Sequence, residues 1–238
     1  MQGMRAAASF PCPPSEGAGK KPHDIAVMMR RLRRAVRDLP DAAMFELRER
    51  GHGGVFAQLV ACIISIRTRD EVSLPAAVRL LDAAPTAADV ARLPASRIEA
   101  LIAPAAFREA KALQIRDIAR RAAEEFGGEL PPDYDVLTSF KGVGPKCANL
   151  ALGIAADVRR IAVDVHVHRV TNRWGYVRAA TPEKTMAALE KVLPRRYWIE
   201  INRLLVPFGK YICTGARPKC SQCPVWKYCR QVGVTRCR

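Results

Sequence analysis

From Asp24 onward the chain reads as one helix after another, which leaves room for little but an all-α fold. IAVMMRRLRRAVRDL spaces its apolar residues at helical intervals and turns a basic face the other way. FAQLVACIISIRT is apolar nearly all round, the pattern of a helix buried on every side. Further helices are expected in LPAAVRLLDAA, AADVARL, SRIEALIAPAA, REAKALQIRDIARRAAEEF, KCANLALGIAA, DVHVHRVTNRWGY, TPEKTMAALEKVL and YWIEINRLLVPFGKYIC. Short breaks marked by Pro and Gly, such as GHGG, APT and GGELPPDYD, separate them. RRIAVDVHV is rich in β-branched residues, but one strand cannot make a sheet, so it reads as a loop entering a helix.

Charge gives the first functional hint. Thirty-nine Lys and Arg against twenty-three Asp and Glu leave a net charge of +16, which predicts attraction to polyanions. No run of about eighteen apolar residues exists to span a bilayer, so no membrane partner is expected. The opening MQGMRAAASFPCPPSEGAGKKPH lacks the apolar core of an export signal. Its Pro, Gly, Ser and Lys content reads as a disordered tail over residues 1–23. The expected compartment is the cytoplasm, where thiols stay reduced and disulfides are not the first reading of a cysteine.

LTSFKGVGPKCANLAL carries the first site. Gly142, Val143 and Gly144 permit a tight hairpin between two helices, the second opening near Pro145. A helix start reached through glycines suits a phosphate, although many plain connectors also use glycine. Lys146 stands at the start of that helix; to act as an amine nucleophile it would need its ionisation lowered by neighbours. Asp164 follows in IAVDVHVHRV, ahead of His166 and His168. It serves either as a cap for the next helix or as a carboxylate facing the lysine.

Cys213, Cys220, Cys223 and Cys229 give C-x6-C-x2-C-x5-C, the spacing of a four-thiolate metal centre. A zinc ribbon would supply two C-x-x-C knuckles and only one is present, so spacing leaves iron–sulfur or zinc open. Cys12, Cys62, Cys147 and Cys237 are scattered and read as tail or buried thiols. Arg217 and Lys219 lie between the first two ligands, where they are expected to contact phosphate.

Taken together these features resemble the endonuclease III family of helix-hairpin-helix DNA glycosylases, over about residues 24–230. F-K-G-V-G-P-K-C-A-N is similar to the family's L-P-G-V-G-x-K-T-A-N, and the resemblance makes Lys146 the Schiff-base lysine. V-D-V-H-V-H-R-V is similar to V-D-T-H-V-x-R-V and makes Asp164 the catalytic aspartate. The four cysteines match the family's [4Fe–4S] loop in spacing. The resemblance implies two helical lobes: a six-helix barrel over 48–158, and a cluster lobe built from 24–47 with 159–230. Residues 231–238 are left as a C-terminal tail. It also implies a monomer acting on double-stranded DNA with damaged bases or abasic sites, and bifunctional glycosylase and abasic-site lyase activity. Adenine glycosylases carry Glu where Cys62 stands, and thymine-mismatch glycosylases usually carry Tyr at Lys146, so oxidised pyrimidine is the expected substrate class.

Departures from the pattern are equally specific. S-I-R-T-R-D replaces S-x-Q-T, which puts Arg67 where the gap left by a flipped base would be filled. The loop usually written G-L-Y-x-x-K-A appears as Ala106-Phe107-Arg108-Glu109-Ala110-Lys111-Ala112, with Phe107 as the expected wedge. Val165 stands where the family has Thr. With Arg67, Phe107, Gly142, Val143, Gly144, His166, Arg217 and Lys219 as the expected DNA contacts, the alternative is a damage-sensing DNA-binding protein without efficient chemistry.

Overall fold

The computed structural model describes residues 19–238, so most of the expected N-terminal tail, including Cys12, lies outside the described residues. Among the described residues all regular structure is helical. The chain divides into two compact units. Asp41–Ala162 with Arg195–Glu200 form one; the described residues up to Pro40, with Val163–Pro194 and Ile201–Arg238, form the other. The first therefore starts earlier and ends later than the 48–158 read from the sequence, and takes in a short piece of chain from near residue 195.

In chain order the helices are α1 (Ile25–Val36), α2 (Ala43–Glu49), α3 (Val55–Ser65), α4 (Asp70–Ala83), α5 (Ala87–Arg92) and α6 (Ala95–Ile102). They continue with α7 (Arg108–Glu125), α8 (Tyr134–Ser139), α9 (Pro145–Ala156), α10 (Val165–Trp174), α11 (Pro182–Val192) and α12 (Glu200–Tyr211). Helices α2 to α9 build the 41–162 unit. Helix α3 is its axis: Leu59, Val60, Cys62, Ile63 and Ile64 are completely buried, and the helix packs against α9, α4 and α7. The all-round apolar pattern of its sequence is thus satisfied by neighbours on every side.

Local chemistry sets the ends. Thr86 and Asp89 form a reciprocal capping box at α5, each side chain taking a backbone amide of the other's turn. Asp133 accepts the amides of Asp135 and Val136 at 2.8 and 2.9 Å and starts α8. Helix α8 is the first helix of the expected hairpin, whereas α2, only seven residues long, was not among the expected helices. Residues 157–164 form no regular structure and lead into α10, as a loop entering a helix should.

The second unit gathers α1, α10, α11 and α12 with the cysteine-rich loop. Trp174, Phe208, Met28, Met29 and Leu32 are its largest buried side chains. The described end of the first expected tail and the whole of the second are built into it. The Lys20 ammonium donates to the Trp226 carbonyl and lies 3.8 Å from the centre of its ring, and His23 Nε2 lies 2.9 Å from the Trp174 carbonyl oxygen. At the other end Gln231 and Cys237 are buried, and the Arg238 amide donates to the Pro218 carbonyl at 2.9 Å. Cys237, expected as a plain thiol, is disulfide-bonded.

Asp133→Ala should cost about 1 kcal/mol in urea unfolding, because two amides of the first turn of α8 lose their acceptor, whereas Asp133→Asn should cost less than half of that. Equal losses in both variants would deny the capping role.

Candidate functional site

The hairpin stands between α8 and α9. Phe140 is buried at its base, where the Arg121 guanidinium lies 4.5 Å from the centre of its ring, and the Val143 amide returns to the Phe140 carbonyl at 3.1 Å. Gly142 takes a left-handed φ of 80°, and a side chain there would also run into Gln114, whose amide donates to the Lys141 carbonyl. Gly144 is the N-cap of α9; a Cβ placed on it would meet nothing within 4 Å, so this face of the turn is open to an approaching group. Pro145 occupies the first helical position, where its missing amide costs nothing.

Lys146 follows, half-buried, with its ammonium 3.7 Å from the Cys62 sulfur of α3. Cys62 lies 2.6 Å from the sulfur of Cys147, the residue after Lys146. The Cys147 thiol beside it holds Cys62 below the usual thiol range, against the opposing effect of burial and with help from the Lys146 charge and the Ser65 hydroxyl. Cys147 moves in the opposite direction, well above the usual thiol range, because its contact with Cys62 and its burial both disfavour the thiolate. Sequence reading set both cysteines aside as plain buried thiols.

On the same unit, Arg67 and Phe107 both stand in left-handed backbone, with φ of 52° and 56°. The Arg67 guanidinium lies 5.7 Å from the centre of the Phe107 ring, and Phe107 is 62% exposed. A non-glycine residue pays about 1–2 kcal/mol for this conformation, so something must hold each one. Lys111 does much of it. Only 5% exposed, its ammonium donates to the carbonyls of Ile64 and Ile66, both at 2.7 Å, and to the Thr68 hydroxyl at 3.1 Å. The Thr68 hydroxyl in turn accepts the Ala106 amide at 3.1 Å. One buried lysine therefore ties the Arg67 turn to the start of α7, and burial lowers its ionisation to about 8. The signal was available: Lys111 sits on the apolar phase of α7, alongside Ala112, Ile115 and Ile118.

The other expected residues belong to the second unit. Asp164 is the N-cap of α10, one carboxylate oxygen accepting the amides of His166 at 3.0 Å and Val167 at 2.8 Å. One turn on, His166 receives Arg169 at 3.1 Å, and Arg169 also donates to the carbonyls of Gly209 and Cys213. A Cβ on Gly209 would come within 2.6 Å of His166, so α12 needs glycine there. Arg173, one turn further, donates to the Thr214 carbonyl at 2.6 Å and reaches the Cys213 sulfur at 3.6 Å. Two arginines not marked by sequence reasoning thus pin the helix capped by Asp164 to the first cysteine of the loop.

Cys213, Cys220, Cys223 and Cys229 line one cavity with Arg173, Trp174, Phe208 and Trp226 among its other walls. Among the described residues no three His, Cys, Asp or Glu converge as a single metal ion would require. A zinc ion needs its sulfurs within about 2.3 Å of one point, whereas a polynuclear cluster needs them spread round a larger body. Burial pushes Cys223 up to about 12 and Cys229 up to about 11, the behaviour of thiols in a dry chamber. The Gln231 amide points at the Cys229 sulfur at 3.3 Å, and the buried Trp226 indole N–H has no acceptor among the described residues. These donors around four sulfurs fit an iron–sulfur cluster. Arg217 is exposed at the rim, and Lys219 lines the cavity itself.

Residues 60–195 match the model of the HhH-GPD superfamily base excision DNA repair protein. Endonuclease III homolog 1, chloroplastic, of Arabidopsis thaliana is 42% identical over 185 residues, which cover 73% of this chain and 48% of the relative. Endonuclease III of Thermotoga maritima is 36% identical over 174 residues, covering 73% of this chain and 82% of the relative. The chain thus spans about half the length of the first relative and most of the second. A solved structure described as a trapped endonuclease III–DNA covalent intermediate, an estranged-adenine complex, aligns with a TM-score of 0.75 at 27% identity, over 87% of this chain and 94% of that one.

Lys111→Met should lower stability by about 1–3 kcal/mol in urea, since two carbonyls of the Arg67 turn lose their donor. Amide exchange over residues 65–69 should quicken in the same variant. Wild-type exchange there would show that the turn holds itself.

Proposed function

Because the chain belongs to the HhH-GPD superfamily of base excision DNA repair proteins, we propose that it is a DNA glycosylase with abasic-site lyase activity, acting on oxidised pyrimidines in duplex DNA. The observation that carries the reading is Lys146: an amine on the first turn of α9, two residues beyond an open glycine. Its neutral form attacks the sugar C1′ and expels the damaged base. The resulting imine acidifies the adjacent hydrogen, and β-elimination then breaks the strand 3′ to the lesion. Asp164 stabilises the positive charge that develops on the sugar and helps move protons. The turn from Gly142 to Gly144 receives a backbone phosphate.

Arg67 and Phe107 enter the duplex where the damaged base has left it, Phe107 by unstacking and Arg67 by hydrogen bonding. Arg217 at the rim and the net charge of +16 supply phosphate contacts, with Lys219 and His166 as further candidates. Cys213, Cys220, Cys223 and Cys229 would hold a [4Fe–4S] cluster, whose contribution is to clamp the loop rather than to break bonds. The protein acts as a monomer in the cytoplasm.

Borohydride should trap the protein covalently on duplexes bearing an abasic site or thymine glycol, and Lys146→Gln should reduce trapping to background. Trapping that survives the change sinks the assignment, and binding without product on any such duplex favours a damage sensor instead. Asp164→Asn retains a good helix cap, so its thermal midpoint should stay near wild type while base release slows by about 10²- to 10⁴-fold. Affinity for duplex DNA should fall steeply between about 50 and 200 mM salt; a flat response contradicts phosphate-driven binding.

A further inference from the structure

Cys62 and Cys147 are not used by the chemistry above, yet they lie against its nucleophile. Cys62 comes from the middle of α3 and Cys147 from the first turn of α9, two helices packed on each other. Their sulfurs are 2.6 Å apart, so about half an ångström of closure separates them from a disulfide. Lys146 directly precedes Cys147 in the first turn of α9, and its ammonium reaches Cys62 at 3.7 Å. Both cysteines are buried, at 0% and 4% exposed, beneath a lysine that is only partly covered. Cys147 also stands where the glycosylase pattern has threonine, so the pair belongs to this chain rather than to the motif.

We propose that Cys62 and Cys147 form a reversible thiol–disulfide site beneath Lys146, oxidised by small hydroperoxides, whose state sets the charge next to the nucleophile. The chemistry balances without help from another group. The Cys62 thiolate attacks the peroxide oxygen, giving a sulfenic acid and releasing hydroxide or alkoxide. The Cys147 sulfur then attacks the sulfenic sulfur, and its proton leaves with the expelled hydroxide as water. Two thiols have lost two electrons and the peroxide has gained them. The lowered ionisation of Cys62 supplies the thiolate that the first step needs. In a reducing compartment such a bond is transient, which suits a sensor rather than a staple.

The consequence for Lys146 follows from charge. In the reduced pair the ammonium lies 3.7 Å from the Cys62 sulfur, and a thiolate there favours the protonated amine over the nucleophilic one. The cystine is neutral and a poorer acceptor. Oxidation therefore removes one of the contacts that keep the amine charged, and covalent capture of DNA should become faster.

This inference rests on Lys146 being the nucleophile, and the test separates the two. The full-length protein is treated with hydrogen peroxide or with diamide, then alkylated and digested, and the visible absorption of the sample is followed throughout. Mass spectrometry should find the Cys62 and Cys147 peptides linked, with the link removed by dithiothreitol. Borohydride trapping on an abasic duplex should run about threefold to tenfold faster in the oxidised protein, at unchanged cluster absorption. In Cys147→Ser, or Cys147→Ala should the serine variant fold poorly, oxidant should leave the trapping rate where it was. Absence of the linked peptide overturns the site. A linked peptide with equal or slower trapping overturns its coupling to Lys146. If neither redox state is trapped at all, it is the lysine mechanism that fails, and the peptide map still decides the dithiol.

Discussion

Helix α3 is buried on every side, and the position of the candidate chemistry in its unit depends on that burial. Because it has no face to water, its residues can only be read by the helices round it, and α9 is one of them. The contact fixes the first turn of α9, which carries Lys146, over Cys62. Burying large aliphatic side chains stabilises by about 1.5–3 kcal/mol each, so the α3–α9 seam supplies rigidity well beyond what a loop could give. If Lys146 is the nucleophile proposed above, such a seam would keep the amine in place as DNA approaches.

The second unit solves a different problem, that of holding a loop with little regular structure. Between Tyr211 and Arg230 only two short 3-10 turns occur, too little backbone pairing to order the segment. Order comes instead from α10, whose Arg169 and Arg173 take the carbonyls around Cys213, and from the chain ends that fold over the loop through Lys20 and Arg238. A cluster bound to the four sulfurs would complete the same clamp. The helix that carries the Asp164 carboxylate and the loop that carries the cysteines are thus one mechanical piece.

The helical class and the long helices were legible in the sequence because buried faces repeat at the helical period. So were the hairpin, Lys146 and the cysteine set, since glycine, proline and cysteine spacing is a local property. What the sequence concealed is what depends on distant partners. The N-terminal end reads as a tail because Pro, Gly and Lys are common in tails, yet Lys20 finds a tryptophan about two hundred residues away. Cys62 and Cys147 are separated by 85 positions, and nothing in either local pattern announces that their helices cross at the sulfurs. Lys111 was legible in principle, as a charge on the apolar phase of α7, but its three acceptors come from a turn more than forty positions earlier.

That buried lysine also explains how the chain can depart from the glycosylase pattern at two neighbouring places. Glycine in the wedge loop would permit left-handed backbone at no cost; with Ala106 in its place, the left-handed residue is Phe107 itself. Arg67 is left-handed too, so the unit carries two strained, exposed side chains at contact distance from each other. Left alone, each would relax toward ordinary backbone and lose its outward aim. Lys111 prevents this by binding the carbonyls on the near side of Arg67, while Thr68 carries the tie on to Ala106. The strain is held by buried hydrogen bonds whose loss would cost more than relaxation returns. On the proposed reading, substitutions at Arg67 or Phe107 would change what touches DNA, whereas substitution at Lys111 would change whether anything is held out to touch it.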